Sequence, residues 1–422
     1  MRGLAALLAL AARSAWNRRT TLGLTLLAMV LAVALLLTIE RLRADVRAGF
    51  TQSVSGTDLI VGARASPIEL VLYAVFRIGS ASQEMSWASA QALASHPAVA
   101  WTLPIALGDS HRGFPVLGAP AEYFSHFRYG ARMPLAFAAG RPYAGLYEAV
   151  LGAEVAQRLG YRVGSRITLA HGRSELAPEH ADKPFTVVGV LERTGTPVDR
   201  TVHVSLASIE AIHLDWMGGA PIPGLSIPAE LAGKFDLTPK TVTAVMVGLK
   251  SRAQVFAMQR WVQAYRDEAL MAVLPGVALD QLWETLAVAE RALIAVSALV
   301  AGVSLVGLVA VILAGLNERR RELAILRSVG AGPRRVLALL LIEGAGLTLA
   351  AAALGLGLSQ ALVLALGPWL ATHYGLHLQL AWPNAAQWAW LGAVFAVGTL
   401  ASLAPAWRAY RLSLADGLTP HV

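Results

Sequence analysis

Long apolar runs divide this chain into membrane and non-membrane parts. A helix that spans a bilayer needs about 20 mostly apolar residues. Four segments reach that length, and they are residues 20–39, 292–316, 336–366 and 385–407. Three of them hold no charged side chain, and the third holds only Glu343. The pattern predicts a polytopic α-helical membrane protein with four transmembrane helices.

The first apolar run is expected to stay in the protein as a membrane anchor. It is longer than the apolar core of a secretory signal peptide, and Glu40 and Arg41 follow it where small residues would mark a cleavage site. Residues 1–19 are apolar with few charges, which is typical of a helix that lies along a membrane surface.

The region between the first and second runs has mixed α and β patterns. Alternating β-branched residues predict strands, and apolar residues at helical spacing predict helices. The strands are expected at 185–191, 200–206 and 241–249, and the helices at 154–161 and 253–265. We therefore expect a large α+β domain over residues 40–291, inserted between the first two transmembrane helices.

Three stretches of the inserted region have other patterns. Residues 108–120 and 218–228 are rich in Gly and Pro, which predicts loops or subdomain boundaries. The segment 53–81 contains the apolar run IELVLYAVF (68–76). We favour a place in the core for this run, and an exposed element that touches cargo is the alternative.

Both transmembrane helices that border the inserted domain are expected to continue beyond the bilayer. Apolar residues recur at helical spacing after the first run and before the second. These residues are Leu42, Val46 and Phe50 on one side, and Leu282, Leu286 and Leu293 on the other. The two extensions either pair as a rigid stalk or form the polar ends of long tilted helices.

The distribution of charge predicts the orientation. The chain has 56% hydrophobic and 15% charged residues and a net charge of +8. Residues 40–290 hold 22 basic and 23 acidic side chains, so the positive excess lies on the short segments that flank the spans. By the positive-inside rule, 1–19, 317–335 and 408–422 are cytoplasmic, while 40–291 and 367–384 are extracytoplasmic. The anchoring arginines are Arg18, Arg19, Arg408 and Arg411.

This confinement of the basic residues to helix ends also argues against nucleic-acid binding, in spite of an isoelectric point near 10.0. The expected location is the inner membrane, with both termini in the cytoplasm.

Few sequence features indicate catalysis. The chain has no Cys, no phosphate-binding P-loop, and neither an H-E-x-x-H nor a G-x-S-x-G motif. No two of the seven histidines within 40–291 stand at i and i+3 or i+4, so we expect no metal site. Those histidines are His96, His111, His126, His171, His180, His203 and His213. We therefore expect a chain that is not itself an enzyme and that holds no cofactor.

Glu343 is the one ionisable residue inside a predicted span. A carboxylate in the membrane is either part of a proton relay or a buried group that is hydrogen-bonded or paired with an arginine. We favour the second interpretation, because Glu343 lies only eight residues after Arg335, near the cytoplasmic end of its helix.

Three separated stretches resemble the FtsX/MacB-type ABC transporter permeases. The segment ERRRELAILRSVGAGPRRVLALLLIEGAGL (318–347) is similar to their charged cytoplasmic loop and the helix that follows it. LAPAWRAYRLSLADGL (403–418) is similar to the exit of their last span. AGRPYAGLYEAVLGAEVAQRLGYRVGSRITL (139–169) resembles their extracytoplasmic domain. MacB carries a fused ATPase domain, whereas this chain has none.

The resemblance implies a permease subunit that works with a separate ABC ATPase subunit, which would bind ATP and Mg²⁺. It implies a homodimer or a heterodimer with a paralogous permease, and a periplasmic adaptor or effector as a further partner. The loop after the second span would form a helix that couples the permease to the ATPase. Its apolar side chains would enter a groove on the ATPase, while its arginines contact acidic residues or lipid headgroups. The residues assigned to this coupling are Glu318, Arg319, Arg320, Arg321, Glu322, Leu323, Ile325, Leu326, Arg327, Val329 and Gly330.

Members of this family are thought to pass movement from the ATPase to the extracytoplasmic domain. For this chain, the expectation is export or extraction of a lipoprotein, a peptide or a drug-like molecule. One alternative is a transmembrane regulator that activates a periplasmic cell-wall hydrolase and transports nothing. Another is a secondary transporter, which would be expected to have more spans and internal repeats.

Overall fold

The computed structural model describes residues 19–53, 55–79, 83–172, 178–217, 220–318, 332–374, 378 and 380–411. The chain separates into two compact units. The membrane unit comprises Met1–Val46 and Ala287–Val422, and the inserted unit comprises Arg47–Leu286. The large α+β domain therefore lies between the first and second membrane helices, as the sequence predicts.

Twelve α-helices occur in the described part of the chain. In chain order, α1 to α12 are Arg19–Gln52, Pro67–Phe76, Trp87–Ala94, Tyr123–His126, Ala153–Leu159, Leu206–His213, Ala229–Ala232, Val255–Gln263, Pro275–Glu318, Pro333–Tyr374, Ala385–Ala401 and Leu403–Arg411. Among the described residues, four helical segments are long and apolar enough to cross a membrane, and they are Arg19–Arg47, Pro275–Ala314, Arg334–Leu370 and Ala385–Arg408.

The fourth membrane segment consists of two helices rather than one. Helix α11 ends at Ala401 and α12 begins at Leu403. Pro405 explains the break at Ser402, because its nitrogen has no hydrogen for the carbonyl of Ala401 and its ring crowds that carbonyl. The hydroxyl of Ser402 donates to the carbonyl of Gly398, at 2.9 Å.

Small residues allow the membrane helices to approach one another closely. A Cβ atom added at Gly344 of α10 would collide with the side chain of Ser402, and one added at Gly398 of α11 would collide with Thr348. At these two positions, the close contact of the helices therefore depends on the absence of a side chain.

The described part of the inserted unit is built on a sheet of eleven strands. In chain order, β1 to β17 are Leu59–Ala63, Met85–Ser86, Val99–His111, Phe114–Ala119, Arg128–Tyr129, Met133–Pro134, Phe137–Gly140, Glu148–Leu151, Arg166–Ile167, Ala170–His171, Phe185–Leu191, Val202–Ser205, Trp216–Met217, Ala220–Pro221, Thr241–Val242, Ala244–Leu249 and Leu270–Val273. The main path of the sheet runs β17-β1-β16-β3-β4-β12-β8-β11-β7, with β10 beside β3 and β9 beside β11.

Both faces of this sheet are covered. In β1, Ile60 contributes to one hydrophobic cluster, while Leu59 and Val61 contribute to another on the opposite face. Helix α2 packs on the first face and buries most of its side chains, so the run 68–76 belongs to the core, as we favoured. The other predicted strands and helices of this region are confirmed with small changes at their ends, except that 241–249 forms two strands, β15 and β16, instead of one.

The prediction of a loop over 108–120 is wrong. These residues form the end of β3, a tight turn and all of β4. The turn residues Arg112 and Gly113 have φ angles of 46° and 82°. Two consecutive left-handed residues form the type of turn that joins adjacent antiparallel strands. The glycine therefore marks a hairpin here and not a boundary.

Candidate functional site

The structure describes only part of the predicted ATPase-coupling segment. Glu318 is the last residue of α9, and residues 319–330 lie outside the described residues. Among the anchoring arginines, Arg19 begins α1, Arg408 is exposed on α12 and Arg411 ends that helix, while Arg18 lies outside the described residues. The assignments of the coupling and anchoring residues remain predictions.

Glu343 lies in the interior of the membrane unit. Its side chain is 5% exposed, and it directly precedes Gly344, where α10 meets Ser402. A carboxylate in this position faces other helices rather than lipid, which fits the interpretation that we favoured from the sequence.

Charged side chains join α1 to α9 where the two helices leave their apolar runs. The guanidinium of Arg43 forms an ion pair with Glu290 of α9 and lies 3.4 Å from the carboxylate of Glu40. Arg41, one residue earlier on α1, donates to the carbonyl of Ala381 at 3.2 Å and pairs with Asp45 at 3.0 Å. The pairing of the two helices, which is one of the two arrangements that their sequence pattern allowed, is therefore present at Arg43.

A second group of polar residues meets inside the inserted unit, at the side of the sheet where β10 pairs with β3. We call it the Asp-His cluster, and it consists of Asp109, His171, His180 and His213. One possible metal-ligand atom from each of the four residues lies within 4.8 Å of the others.

Each member of the Asp-His cluster is positioned by a different element. Asp109 lies at an irregularity in β3, where the register with β4 shifts between Leu107 and Ser110, and it pairs directly with His171 of β10. His213 is the last residue of α6. His180 precedes β11, and its backbone N–H donates to the carbonyl of Leu169 at 2.8 Å.

The polar atoms of the cluster are close together. His171 Nδ1 lies 3.0 Å from His213 Nε2 and 3.3 Å from Asp109 Oδ1. His213 Nε2 lies 3.6 Å from the same oxygen of Asp109. The other ring nitrogen of His213, Nδ1, lies 2.8 Å from the carbonyl of Ile209, one helical turn earlier. This bond makes Nδ1 the donor, so that Nε2 points its lone pair into the cluster.

The cluster is buried on one side and accessible on the other. His180 is fully buried and Asp109 is 6% exposed. The indole of Trp216 covers the His180 ring, with 3.9 Å between the ring centroids. The side chains of His171 and His213 are 38% and 25% exposed, so they form the rim.

Burial and charge shift the pKa values of two histidines of the cluster in opposite directions. Burial lowers the pKa of His180 to about 4, and the neighbouring His213 adds to this effect. The hydrogen bond and the negative charge of Asp109 raise the pKa of His171, against a smaller effect of burial. At neutral pH the buried ring of His180 is therefore neutral, which is the form that binds metal ions.

A buried ion pair stabilises two of the segments that form the cluster and its surroundings. The ammonium of Lys183, which is fully buried, donates to both carboxylate oxygens of Asp215 at 2.7 and 2.8 Å. Lys183 also donates its backbone N–H to the carbonyl of His180, and Asp215 directly precedes Trp216. The pair thus fixes the two segments that carry the stacked rings of His180 and Trp216.

The sequence carried no local signal for this cluster. Its members come from four segments, so no short spacing connects them, and we expected no metal site for that reason. Asp109 lay in a stretch that we predicted to be a loop. The structure nevertheless brings three of the seven histidines of 40–291 to one carboxylate.

Comparison with known proteins places the chain in a family. A family model described as the MacB-like periplasmic core domain matches residues 22–265, and another, described as the FtsX-like permease C-terminal domain, matches 294–414. The chain belongs to the FtsX/MacB-type ABC transporter permeases. With its membrane helices and periplasmic-domain family, this permease is an inner-membrane protein.

One individual relative matches the permease at low sequence identity. The permease is 24% identical to the lipoprotein-releasing system transmembrane protein LolC of Neisseria meningitidis serogroup B, over 262 residues. This match covers 60% of the permease and 57% of LolC, so the permease spans a little over half the length of that relative.

Two solved structures are similar to the permease at low identity. The crystal structure of the periplasmic region of MacB from Actinobacillus actinomycetemcomitans is 10% identical, with a TM-score of 0.34, and covers 54% of the permease and 93% of that region. The extracellular domain of the transporter YknZ from Gram-positive bacteria is 13% identical, with a TM-score of 0.30, and covers 51% and 99%.

Proposed function

We propose that this permease couples ATP hydrolysis by a separate ATPase subunit to movement of its inserted unit on the extracytoplasmic side of the membrane. The movement would serve the export or extraction of a substrate. In this proposal both termini are cytoplasmic, ATP and Mg²⁺ bind to the ATPase, and two permease chains, identical or paralogous, form the membrane part of the complex.

The observation that carries this proposal is the continuity of α1 and α9. Helix α1 has 34 residues and α9 has 44, so they extend about 51 and 66 Å at 1.5 Å per residue. The hydrocarbon core of a bilayer is about 30 Å thick. Both helices therefore extend well beyond a membrane span, and a continuous helix transmits displacement along its axis.

Contacts between the two helices support the same proposal. Met29 of α1 and Leu308 of α9 belong to one buried hydrophobic cluster. The ion pair between Arg43 and Glu290 connects the helices again, further along each of them. Helices that touch at separated points move as a pair more readily than isolated ones.

The name of one relative supports a choice of substrate class. LolC is named as part of a lipoprotein-releasing system, so a lipid-anchored protein is the first substrate to examine. Release of such a protein from the inner membrane requires work against the insertion of its acyl chains, which costs about 0.8 kcal/mol per buried CH₂. ATP hydrolysis in the partner subunit would supply this work.

The first prediction concerns the coupling segment. Leu326→Asp together with Val329→Asp would place two charges where we expect apolar contacts with the ATPase groove. Each apolar contact is worth about 1.5–3 kcal/mol when fully buried, so we expect roughly a 100-fold or greater loss of affinity. The measurements are copurification of the partner ABC ATPase and the ATP turnover of the reconstituted complex.

The conservative pair Leu326→Ile and Val329→Ile is the matched control and should retain both properties. Release of a triacylated reporter lipoprotein from proteoliposomes is measured in parallel. Normal copurification and turnover in the Asp double variant would contradict the assigned coupling segment. Normal turnover without any release by the unmodified complex would contradict the extraction role.

A further inference from the structure

We propose that the Asp-His cluster is a binding site for a divalent transition-metal ion, with Zn²⁺ as the expected occupant. Asp109 would supply one carboxylate oxygen, and His171, His180 and His213 would each supply one ring nitrogen. This site is independent of the ATPase-coupling role proposed above.

The spacing of the ligand atoms fits a tetrahedral ion. Zn–N and Zn–O bonds are about 2.0–2.1 Å long, so the ligand atoms at the corners of a tetrahedron are about 3.3–3.4 Å apart. The separations among His171 Nδ1, His213 Nε2 and Asp109 Oδ1 are 3.0, 3.3 and 3.6 Å. Three corners of the tetrahedron are therefore already near their required positions.

His180 distinguishes a metal site from a hydrogen-bonded cluster. A hydrogen bond between His171 Nδ1 and His213 Nε2 accounts for these two ring nitrogens. Hydrogen bonds do not account for His180, because neither of its ring nitrogens has a hydrogen-bond partner among the residues that the structure describes, although the side chain is fully buried. A buried polar group without a partner is costly, and metal coordination would satisfy it.

The residues around the Asp-His cluster are arranged as expected around a bound metal ion. The bond from His213 Nδ1 to the carbonyl of Ile209 is the usual support for a metal-bound imidazole, since it holds the ring and leaves Nε2 free to coordinate. Trp216 stacks on the ring of His180, and the partly exposed rings of His171 and His213 leave a path for the ion.

The ligand set determines which ions would bind. Three imidazoles and one carboxylate suit Zn²⁺, Co²⁺, Ni²⁺ or Cu²⁺, whereas Mg²⁺ and Ca²⁺ require mostly oxygen ligands. Because the ligands come from β3, β10, α6 and the segment before β11, a bound ion would also link four parts of the inserted unit. Binding would thus raise the thermal stability of the folded chain.

The test measures metal binding by the full chain. The protein is purified in detergent through a tag without histidine, stripped with a chelator and titrated with Zn²⁺ against a chromophoric competitor. We expect one tight Zn²⁺ per chain, a visible spectrum of tetrahedral Co²⁺ when Co²⁺ replaces it, and no displacement by excess Ca²⁺ or Mg²⁺.

The variants separate loss of the ligand from loss of the fold. His171→Ala and His213→Ala remove rim ligands, and each should weaken Zn²⁺ binding about 100-fold or more. His126→Ala, which removes a histidine of the same unit outside the cluster, should leave binding unchanged. Equal unfolding temperatures of all variants in chelator would show that folding is retained.

Two results would overturn the proposal. One is a double variant, His171→Ala with His213→Ala, that binds Zn²⁺ as tightly and in the same amount as the unmodified chain. The other is a folded, unmodified chain that takes up no Zn²⁺. His180→Ala removes the third histidine ligand of the proposed site. The Co²⁺ spectrum of this variant should lack the bands of a tetrahedral ion.

Discussion

At the scale of single residues, the inserted unit buries ionisable groups in two different ways. Lys183 keeps its charge because the carboxylates of Asp215 and Asp182 accept hydrogen bonds from its ammonium group. Among the described residues, no carboxylate acts on His203 of β12 to stabilise a proton, and its ring lies against Tyr123 and Phe124. The first residue is stable as an ion, and the second is stable only without its charge.

The neutral His203 predicts a loss of stability in acid. Burial, together with the positive charge of Arg77, lowers the pKa of His203 to about 3. In the unfolded chain this pKa is about 6.5, so below that pH the unfolded state binds a proton that the folded state does not. Stability is then full above pH ~6.5 and falls, by up to about 1.4 kcal/mol per pH unit, until the pH reaches about 3.

Denaturant unfolding of the full chain at pH 7 and pH 5, followed by tryptophan fluorescence, measures this effect. His203→Leu has no proton to gain, so its stability should fall less between the two pH values by about 1–2 kcal/mol. The half-exposed His126→Leu should follow the unmodified chain. An identical acid dependence in His203→Leu and the unmodified chain would count against the assignment.

At the scale of elements, the packing of the membrane helices depends on the absence of side chains at particular positions. Gly344 of α10 meets Ser402 at the junction of α11 and α12, and Gly398 of α11 meets Thr348. The hydroxyl of Thr348 donates to the carbonyl of Gly344, at 3.1 Å, so its bond stays within its own helix. Close approach, rather than bonds between helices, distinguishes these two contacts.

Gly344→Ala should therefore destabilise the membrane unit, because the new methyl group would collide with the Ser402 side chain. Overpacking of this kind costs about 1–3 kcal/mol. Gly346→Ala is the matched control, since a Cβ atom there meets nothing within 4 Å. The midpoint of thermal unfolding in detergent should fall for the first variant and not for the second.

Removal of the opposing side chain provides the complementary check. Ser402→Gly, combined with Gly344→Ala, gives the methyl group room and should restore part of the lost stability. If the two substitutions are simply additive, the helices do not meet at this point.

At the scale of the whole molecule, α1 and α9 carry the proposed function because they belong to both units. Residues 19–46 of α1 lie in the membrane unit, while its end belongs to the inserted unit. Helix α9 begins in the inserted unit, where Ala278 and Leu279 join the hydrophobic core beside α2. Each helix is thus a structural part of two separately packed bodies.

Charge reversal at the contact between these helices tests whether they act together. Arg43→Glu and Glu290→Arg each replace an ion pair by like charges, whereas the double reversal restores it in the opposite sense. The pair is partly exposed, at 40% and 24% of the two side chains, so about 0.5–1 kcal/mol is at stake. We expect each single variant to release the reporter lipoprotein severalfold more slowly at unchanged ATP turnover.

The double variant should recover release. Arg291→Glu, an exposed reversal on the neighbouring residue of α9, is the control and should have little effect. A double variant as defective as either single one would indicate that the charges matter individually and not as a contact.

The sequence predicted the membrane helices and the family more fully than the inserted unit. Uninterrupted apolar runs report their environment directly, and the break at Ser402 was missed because Pro405 lies inside such a run. In the inserted unit, Gly and Pro near Asp109 indicated a loop, since sequence alone does not show that Arg112 and Gly113 form a hairpin turn. The Asp-His cluster was missed for a different reason: its members meet only after β10 pairs with β3 and α6 packs beside them.

The burial of Lys183 has a practical consequence for chemical labelling. The chain contains four lysines, which are Lys183, Lys234, Lys240 and Lys250. The last three are exposed, while the Lys183 side chain has no accessible surface. An amine-reactive reagent therefore modifies three lysines of the folded chain, and the fourth becomes reactive only when the inserted unit opens. After a short exposure to the reagent, the mass spectrum of the intact protein thus gives the fraction of molecules labelled at the fourth lysine. This is the fraction in which the inserted unit has opened, and no engineered probe is needed to measure it.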